Sequence, residues 1–124
     1  MSKKILVIDD DPNVVKMLKS RLEASNYRVA TASNGNEGLE QVSKERPDLI
    51  LCDIVMPIMD GYTFLNELRA REMKESQPLQ SIPVFVLTAK EKMQDLFAME
   101  GIKEYIVKPF KAEELLEKIK NVLK

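Results

Sequence analysis

"ILVIDDDPNVVKMLKSRL", Ile5 to Leu22, holds one complete repeat of the fold. Apolar, β-favouring residues Ile5 to Ile8 run directly into three carboxylates, Asp9, Asp10 and Asp11. Pro12 follows, and then Val15, Leu18 and Leu22 recur at helical spacing. An unbroken apolar run, in place of alternation, is what a strand covered on both faces requires. Asp11 before Pro12 reads as an N-cap followed by the first helical residue. The stretch is therefore a strand, a charged loop and a helix. Two like charges about 4 Å apart repel by roughly 4 kcal/mol at an effective dielectric near 20, so the carboxylates at this strand end call for a cation, a proton or solvent.

The same unit recurs along the chain. Strand-sized apolar runs occur at Val29 to Ala32, Leu49 to Cys52, Val84 to Leu87 and Tyr105 to Val107. Helical spacing appears at Leu39/Val42, Leu65/Leu68, Met93/Leu96/Phe97 and Leu115/Leu116/Ile119/Val122/Leu123. Asn34 with Glu37 three later, and Asp60 before Gly61, mark further helix starts. The last helix has a poor cap at Lys111 but carries Glu113 and Glu114 early and lysines late, which suits its dipole. The order predicts a (βα)5 α/β domain: a parallel sheet, right-handed crossovers and helices on both faces. One segment is long for a helix-to-strand connection, "REMKESQPLQSIP" from Arg71 to Pro83, and part of it is expected to extend the third helix.

Composition narrows the chemistry. At 124 residues the chain is expected to form a single domain over residues 1–124. Nineteen basic and 20 acidic residues give a formal charge of −1, so no basic stripe argues for nucleic acid or a lipid surface. The opening "MSKKILVI" is shorter than a signal-peptide core and no stretch approaches membrane-spanning length, so a cytoplasmic protein is expected. Cys52 is the only cysteine and histidine is absent, which removes disulfides, Cys/His zinc sites and His-based triads. What remains is carboxylates, hydroxyls and lysine.

Open parallel sheets bind ligands beyond the carboxyl ends of their strands. Those ends carry Asp9, Asp10 and Asp11 after the first strand, Asp53 after the third, Thr88 after the fourth and Lys108 after the fifth. Carboxylates from adjacent strands suit Mg²⁺, which needs only one or two protein carboxylates beside water and phosphate oxygens. Mn²⁺ is the alternative ion. Asp10 and Asp53 are expected to hold the metal, Asp9 to act directly or through water, and Asp11 to cap the helix. Thr88 and Lys108 are suitable donors to phosphoryl oxygens. Phosphoryl transfer needs mainly positioning and charge neutralisation, with a carboxylate able to act as nucleophile, so an aspartyl phosphate is plausible chemistry here.

At these residues the sequence resembles a response-regulator receiver domain of the stand-alone, chemotaxis-regulator (CheY-like) type. "VIDDDP", "CDIVMPIMDG", "VLTAK" and "YIVKPF" occur in order, and the resemblance runs end to end. It implies a doubly wound, flavodoxin-like sheet with strand order 2-1-3-4-5. It implies Asp53 as phosphoacceptor, Asp9 and Asp10 as the acidic pair, and the Val55 backbone carbonyl as a further Mg²⁺ ligand. Thr88 would be the switch hydroxyl, Lys108 the phosphate-contacting lysine and Tyr105 the aromatic that moves inward. Lys108–Pro109 is expected to be cis. Val55 and Lys90 would tune dephosphorylation, and apolar Val55, unable to orient a water, would make it slow. The phosphodonor would be a histidine kinase or phosphotransfer protein. The output would be a target protein docking on the fourth helix, fifth strand and fifth helix, with the chain a monomer or a phosphorylation-induced dimer. Such a chain is not an enzyme beyond catalysing its own phosphorylation and hydrolysis.

Blander readings stand beside these. The acidic cluster could be capping and solvation, Thr88 an ordinary strand residue, Cys52 a small buried hydrophobe, and Met56 and Met59 gap fillers. Pro57 and Asp60–Gly61 shape the loop after Asp53. Rival functions are a phosphorylation-independent pseudo-receiver, a haloacid-dehalogenase-like phosphatase and a flavodoxin-like FMN carrier. The second keeps its nucleophile after the first strand, and the third needs a phosphate loop there, which this sequence lacks. The Thr88-to-Lys108 interval is slightly short for the family, and Arg71 to Pro83 is long, which suggests a partner contact there.

Overall fold

The computed structural model describes residues 2–54, 61–73, 82–88 and 102–123. Their elements alternate as β1 (Lys4–Ile8), α1 (Pro12–Ala24), β2 (Arg28–Ala32), α2 (Gly35–Glu45), β3 (Leu49–Asp53), α3 (Gly61–Met73), β4 (Val84–Thr88), β5 (Ile102–Val107) and α4 (Ala112–Val122). Thus α4 is the last helix of the expected pattern, and the segment around Met93, Leu96 and Phe97 lies outside the described residues, as does the expected cap Asp60. No helix among the described residues is long and apolar enough to cross a membrane.

The five strands form one parallel sheet in the order β2-β1-β3-β4-β5, the doubly wound, flavodoxin-like arrangement. Alternate residues of each central strand enter opposite cores. Leu6, Ile8, Ile50, Cys52, Val84 and Val86 pack with Leu39 of α2 and Phe64, Leu65 and Leu68 of α3. Ile5, Val7, Leu49, Leu51, Phe85 and Leu87 pack with Leu18 and Leu22 of α1 and Leu115 and Ile119 of α4. Both faces are covered, which is why the strands read as continuous apolar runs.

One strand differs from the sequence expectation. β5 begins at Ile102, three residues before the apolar run at Tyr105. It is an edge strand, so Lys103 and Glu104 can belong to it while remaining polar, and Glu104 pairs with Lys118 of α4 at 3.4 Å. The register shifts between Val84 and Phe85: Val84 pairs with Ile102 but Phe85 with Glu104. Ile102 and Tyr105, an odd number of residues apart, therefore both pack on the α2/α3 core, which a regular strand forbids.

The helix starts follow local chemistry. Asp11 accepts the Asn13 N–H at 2.9 Å, and Asn34 accepts the Glu37 N–H at 3.0 Å. Glu37 in turn accepts the Ser33 N–H at 2.8 Å, one residue before the Asn34 cap, a variant of the capping box. Lys111 at the head of α4 makes no side-chain cap. Arg71 to Met73 do extend α3, and Arg69 of that helix donates to the Ile82 carbonyl at 3.1 Å, tying it to the chain entering β4.

Candidate functional site

The sheet brings the charged strand ends together. Ile8 of β1 pairs with Cys52 of β3, so Asp9 and Asp53 are the next residues out on neighbouring strands. β2 lies on one side of β1 and β3 on the other, which makes this edge the point where the chain order reverses and ligands bind. Oxygens of Asp9, Asp10 and Asp53 lie within 4.8 Å of one another. Asp9 is 1 % exposed, Asp53 8 % exposed, and Asp10 faces solvent. An open groove of about 360 Å³, bounded by Val15 and Lys16 of α1 and by Thr31 and Ser33, leads to Asp9 and Asp10.

Lys108 supplies the opposing charge. Its Nζ is 2.8 Å from Asp9 Oδ2 and 3.6 Å from Asp53 Oδ2. Burial alone would lower its pKa, but the hydrogen bond to Asp9 and the nearby Asp53 charge outweigh that and hold the ammonium above the ordinary lysine range. Lys108 therefore stays cationic at neutral pH. Three carboxylates against one ammonium leave two negative charges at the sheet edge. The Lys108–Pro109 peptide is cis, as expected.

Asp9 is more constrained than its strand-end position alone suggests. Its Oδ1 accepts the Asp11 backbone N–H at 2.9 Å while Oδ2 accepts from Lys108. Both oxygens thus have donors, so Asp9 anchors the cluster, and Asp10 is its solvent-exposed carboxylate. The Asp11 N–H is a site contact that the sequence reading assigned to no role. Its only signal was the Asp-Asp-Asp run, in which an i to i+2 side-chain contact is a common local bond.

The other candidates fall in two groups. Thr88 ends β4, paired with Val107 and one residue beyond Leu87, the partner of Asp53. That backbone register puts it at the same sheet edge. Tyr105 pairs with Val86, well before the strand ends, and is partly buried against the α2/α3 core. Val55 and Lys90 lie outside the described residues, as do Pro57, Met56 and Met59. Cys52 is buried, and its thiol donates to the Asp53 carbonyl at 3.2 Å.

The donor set fits Mg²⁺ or Mn²⁺: all-oxygen, carboxylate-rich, one of the three carboxylates, Asp10, exposed to solvent, and a net negative charge that a dication would neutralise. The sequence profile of the response regulator receiver domain matches residues 5–120. The chain belongs to that family. Over its whole length this receiver domain is 37% identical to the alkaline phosphatase synthesis transcriptional regulatory protein PhoP of Bacillus subtilis, covering 50% of that protein. It is 38% identical over 99% of its length to the transcriptional regulatory protein PrrA of Mycobacterium tuberculosis, covering 51% of that protein. The receiver thus spans about half the length of these relatives. Among solved structures, the response regulator TrrA of Thermotoga maritima, in complex with Mg²⁺-BeF, matches with TM-score 0.81 and 34% identity, over 98% of this chain and 99% of that one. The chemotaxis response regulator CheY4 of Vibrio cholerae matches with TM-score 0.84 and 29% identity, over 99% and 100% of the two chains. These relatives place the receiver in the two-component response-regulator class.

Proposed function

We propose that this receiver is a phosphorylation-controlled switch in which Asp53 accepts a phosphoryl group in a Mg²⁺-dependent reaction. The observation that carries the reading is the meeting of Asp53 with the Asp9/Asp10 pair and with Lys108 at one sheet edge. The donor is a phosphohistidine of a histidine kinase or phosphotransfer protein. An Asp53 carboxylate oxygen attacks phosphorus, the new O–P bond forms as the N–P bond breaks, and the histidine nitrogen leaves with the electron pair. The metal, when bound by Asp10, Asp53, Asp9 directly or through water, and the Val55 carbonyl, neutralises oxygens that would otherwise repel.

Lys108 is already held at the site by Asp9 and needs only to turn from the Asp53 carboxylate to the incoming phosphoryl oxygens. Thr88 is the switch hydroxyl and Tyr105 the aromatic that follows it, with Val55 and Lys90 setting the lifetime of the phosphate. The output is a population shift, limited by the difference in affinity that the phosphoryl group has for the two states. A target protein or a second receiver reads it on the face that includes β5 and α4, in the cytoplasm.

The test is an amide NMR spectrum with Mg²⁺ and beryllofluoride, an acyl-phosphate mimic. Shifts should spread from Asp53 to Thr88 and Tyr105 in the wild type and vanish in Asp53→Asn. Shifts confined to Asp9 and Asp10 would leave a metal site without a switch and favour the pseudo-receiver.

A further inference from the structure

Gly61, the first residue of α3, approaches the backbone of Asp53 more closely than any side chain allows. A Cβ at Gly61 would lie 2.6 Å from the Asp53 carbonyl oxygen, 2.9 Å from Ile54 Cα and 3.3 Å from the Asp53 carbonyl carbon. These are main-chain atoms and cannot rotate aside. Gly61 also donates its N–H to the Ile54 carbonyl at 2.8 Å, which fastens the head of α3 to the end of β3. On the strand side, the Cys52 thiol donates to the same Asp53 carbonyl oxygen at 3.2 Å.

We propose that Gly61 is a positioning residue for Asp53: the bare Cα of Gly61 and the Cys52 thiol confine the Asp53 carbonyl, and so aim the Asp53 carboxylate at Asp10 and Lys108. The inference rests on the reading of Asp53 as phosphoacceptor. The peptide plane after Asp53 shares its Cα with the side chain, so pushing the carbonyl turns the Cα–Cβ bond and swings the carboxylate. Mg²⁺ tolerates little of this, because it demands near-ideal octahedral geometry.

Gly38 of α2 supplies a matched control. A Cβ there would meet Ile8 Cδ1 at 2.6 Å and Phe64 Cε1 at 3.0 Å, side-chain atoms in the α2/α3 core that can repack. Both alanine substitutions crowd the fold, but only Gly61→Ala pushes on the Asp53 main chain.

The experiment compares Gly61→Ala, Gly38→Ala, Cys52→Val and Cys52→Ser with the wild type. Mg²⁺ affinity is read by calorimetry with the metal alone, acetyl phosphate uptake by intact mass, and the folded fraction by circular dichroism. Gly61→Ala should weaken Mg²⁺ binding and slow uptake by about tenfold or more while folded, and Gly38→Ala should change both by less than about twofold. Cys52→Val should move both in the same direction by about threefold, and Cys52→Ser, which keeps a donor, should restore them. A folded Gly61→Ala with wild-type Mg²⁺ affinity and uptake overturns the proposal. If Gly61→Ala does not fold, a Cys52→Val protein unchanged in both readouts overturns it, and one that shifts with rescue by serine supports it. Failure of the wild type to take up phosphate would refute the reading of Asp53, while the Mg²⁺ affinities would still decide the role of Gly61.

Discussion

Lys108 Nζ lies 2.8 Å from Asp9 Oδ2, an ion pair between residues 99 positions apart. The Asp9 side chain is fully buried, while that of Lys108 keeps 23% of its exposure. The ammonium therefore serves as a counter-ion for the metal-free site as well as a candidate phosphate contact.

Lys108→Met should accordingly have effects of opposite sign. Without Mg²⁺ it should lose about 2–3 kcal/mol of stability, at or below the low end for a broken buried pair because the lysine is partly solvated. It should also bind Mg²⁺ more tightly, since a competing cation is gone, so added Mg²⁺ should recover part of the loss. Urea unfolding with and without Mg²⁺ checks both. Equal stability losses in the two conditions would contradict the counter-ion role.

Asp10→Asn isolates the open carboxylate. Asp10 is exposed, so the change should alter metal-free stability by less than about 0.5 kcal/mol. Mg²⁺ affinity by calorimetry should nevertheless fall by about tenfold or more, because the site loses one of its few charged oxygen ligands. A loss of stability with unchanged affinity would mean that Asp10 is structural.

The fold was largely legible in the sequence because its central strands are buried on both faces. The runs at Ile5, Leu49 and Val84 match β1, β3 and β4 to within one residue at each end. The first half of β5 was hidden because Lys103 and Glu104 obey the solvent at a sheet edge, and the shift that returns Tyr105 to the core has no local signal. Caps at Asp11 and Asn34 could be read because each is a contact within a few residues. The Asp9–Lys108 pair could not, since it depends on the order of strands β1, β3, β4 and β5. Gly61 was legible as a helix start, but its contact with Asp53 depends on how the head of α3 folds back against the end of β3.

Acid should expose one peripheral ion pair. Lys4 Nζ lies 2.6 Å from Glu45 Oε2, and that hydrogen bond, with the lysine charge, holds the Glu45 carboxyl below its ordinary range. A lowered folded-state pKa adds stability above the unfolded value, about pH 4.3 for glutamate, and that stability is lost as pH falls through the folded value. Glu45→Gln should therefore be less stable than wild type at pH 7, and the gap should close below about pH 4. Urea midpoints across this range check it; a gap that persists in acid would point to lost packing.

Val55, two residues after Asp53, carries an apolar side chain that cannot orient a water. Val55→Asn should therefore shorten the lifetime of the aspartyl phosphate by about tenfold, less than the roughly 100-fold or more of a true general base, because an amide orients a water without taking its proton. Loss of the phosphoryl mass adduct with time, after the donor is removed, gives the lifetime. An unchanged or longer lifetime would remove Val55 from the hydrolysis.

The most direct measurement is the intact mass of wild type and Asp53→Asn after incubation with acetyl phosphate, with and without Mg²⁺. A single phosphoryl adduct is expected on the wild type, requiring Mg²⁺ and absent from Asp53→Asn. A wild type that stays unmodified with Mg²⁺ present, or an adduct that survives in Asp53→Asn, would contradict it.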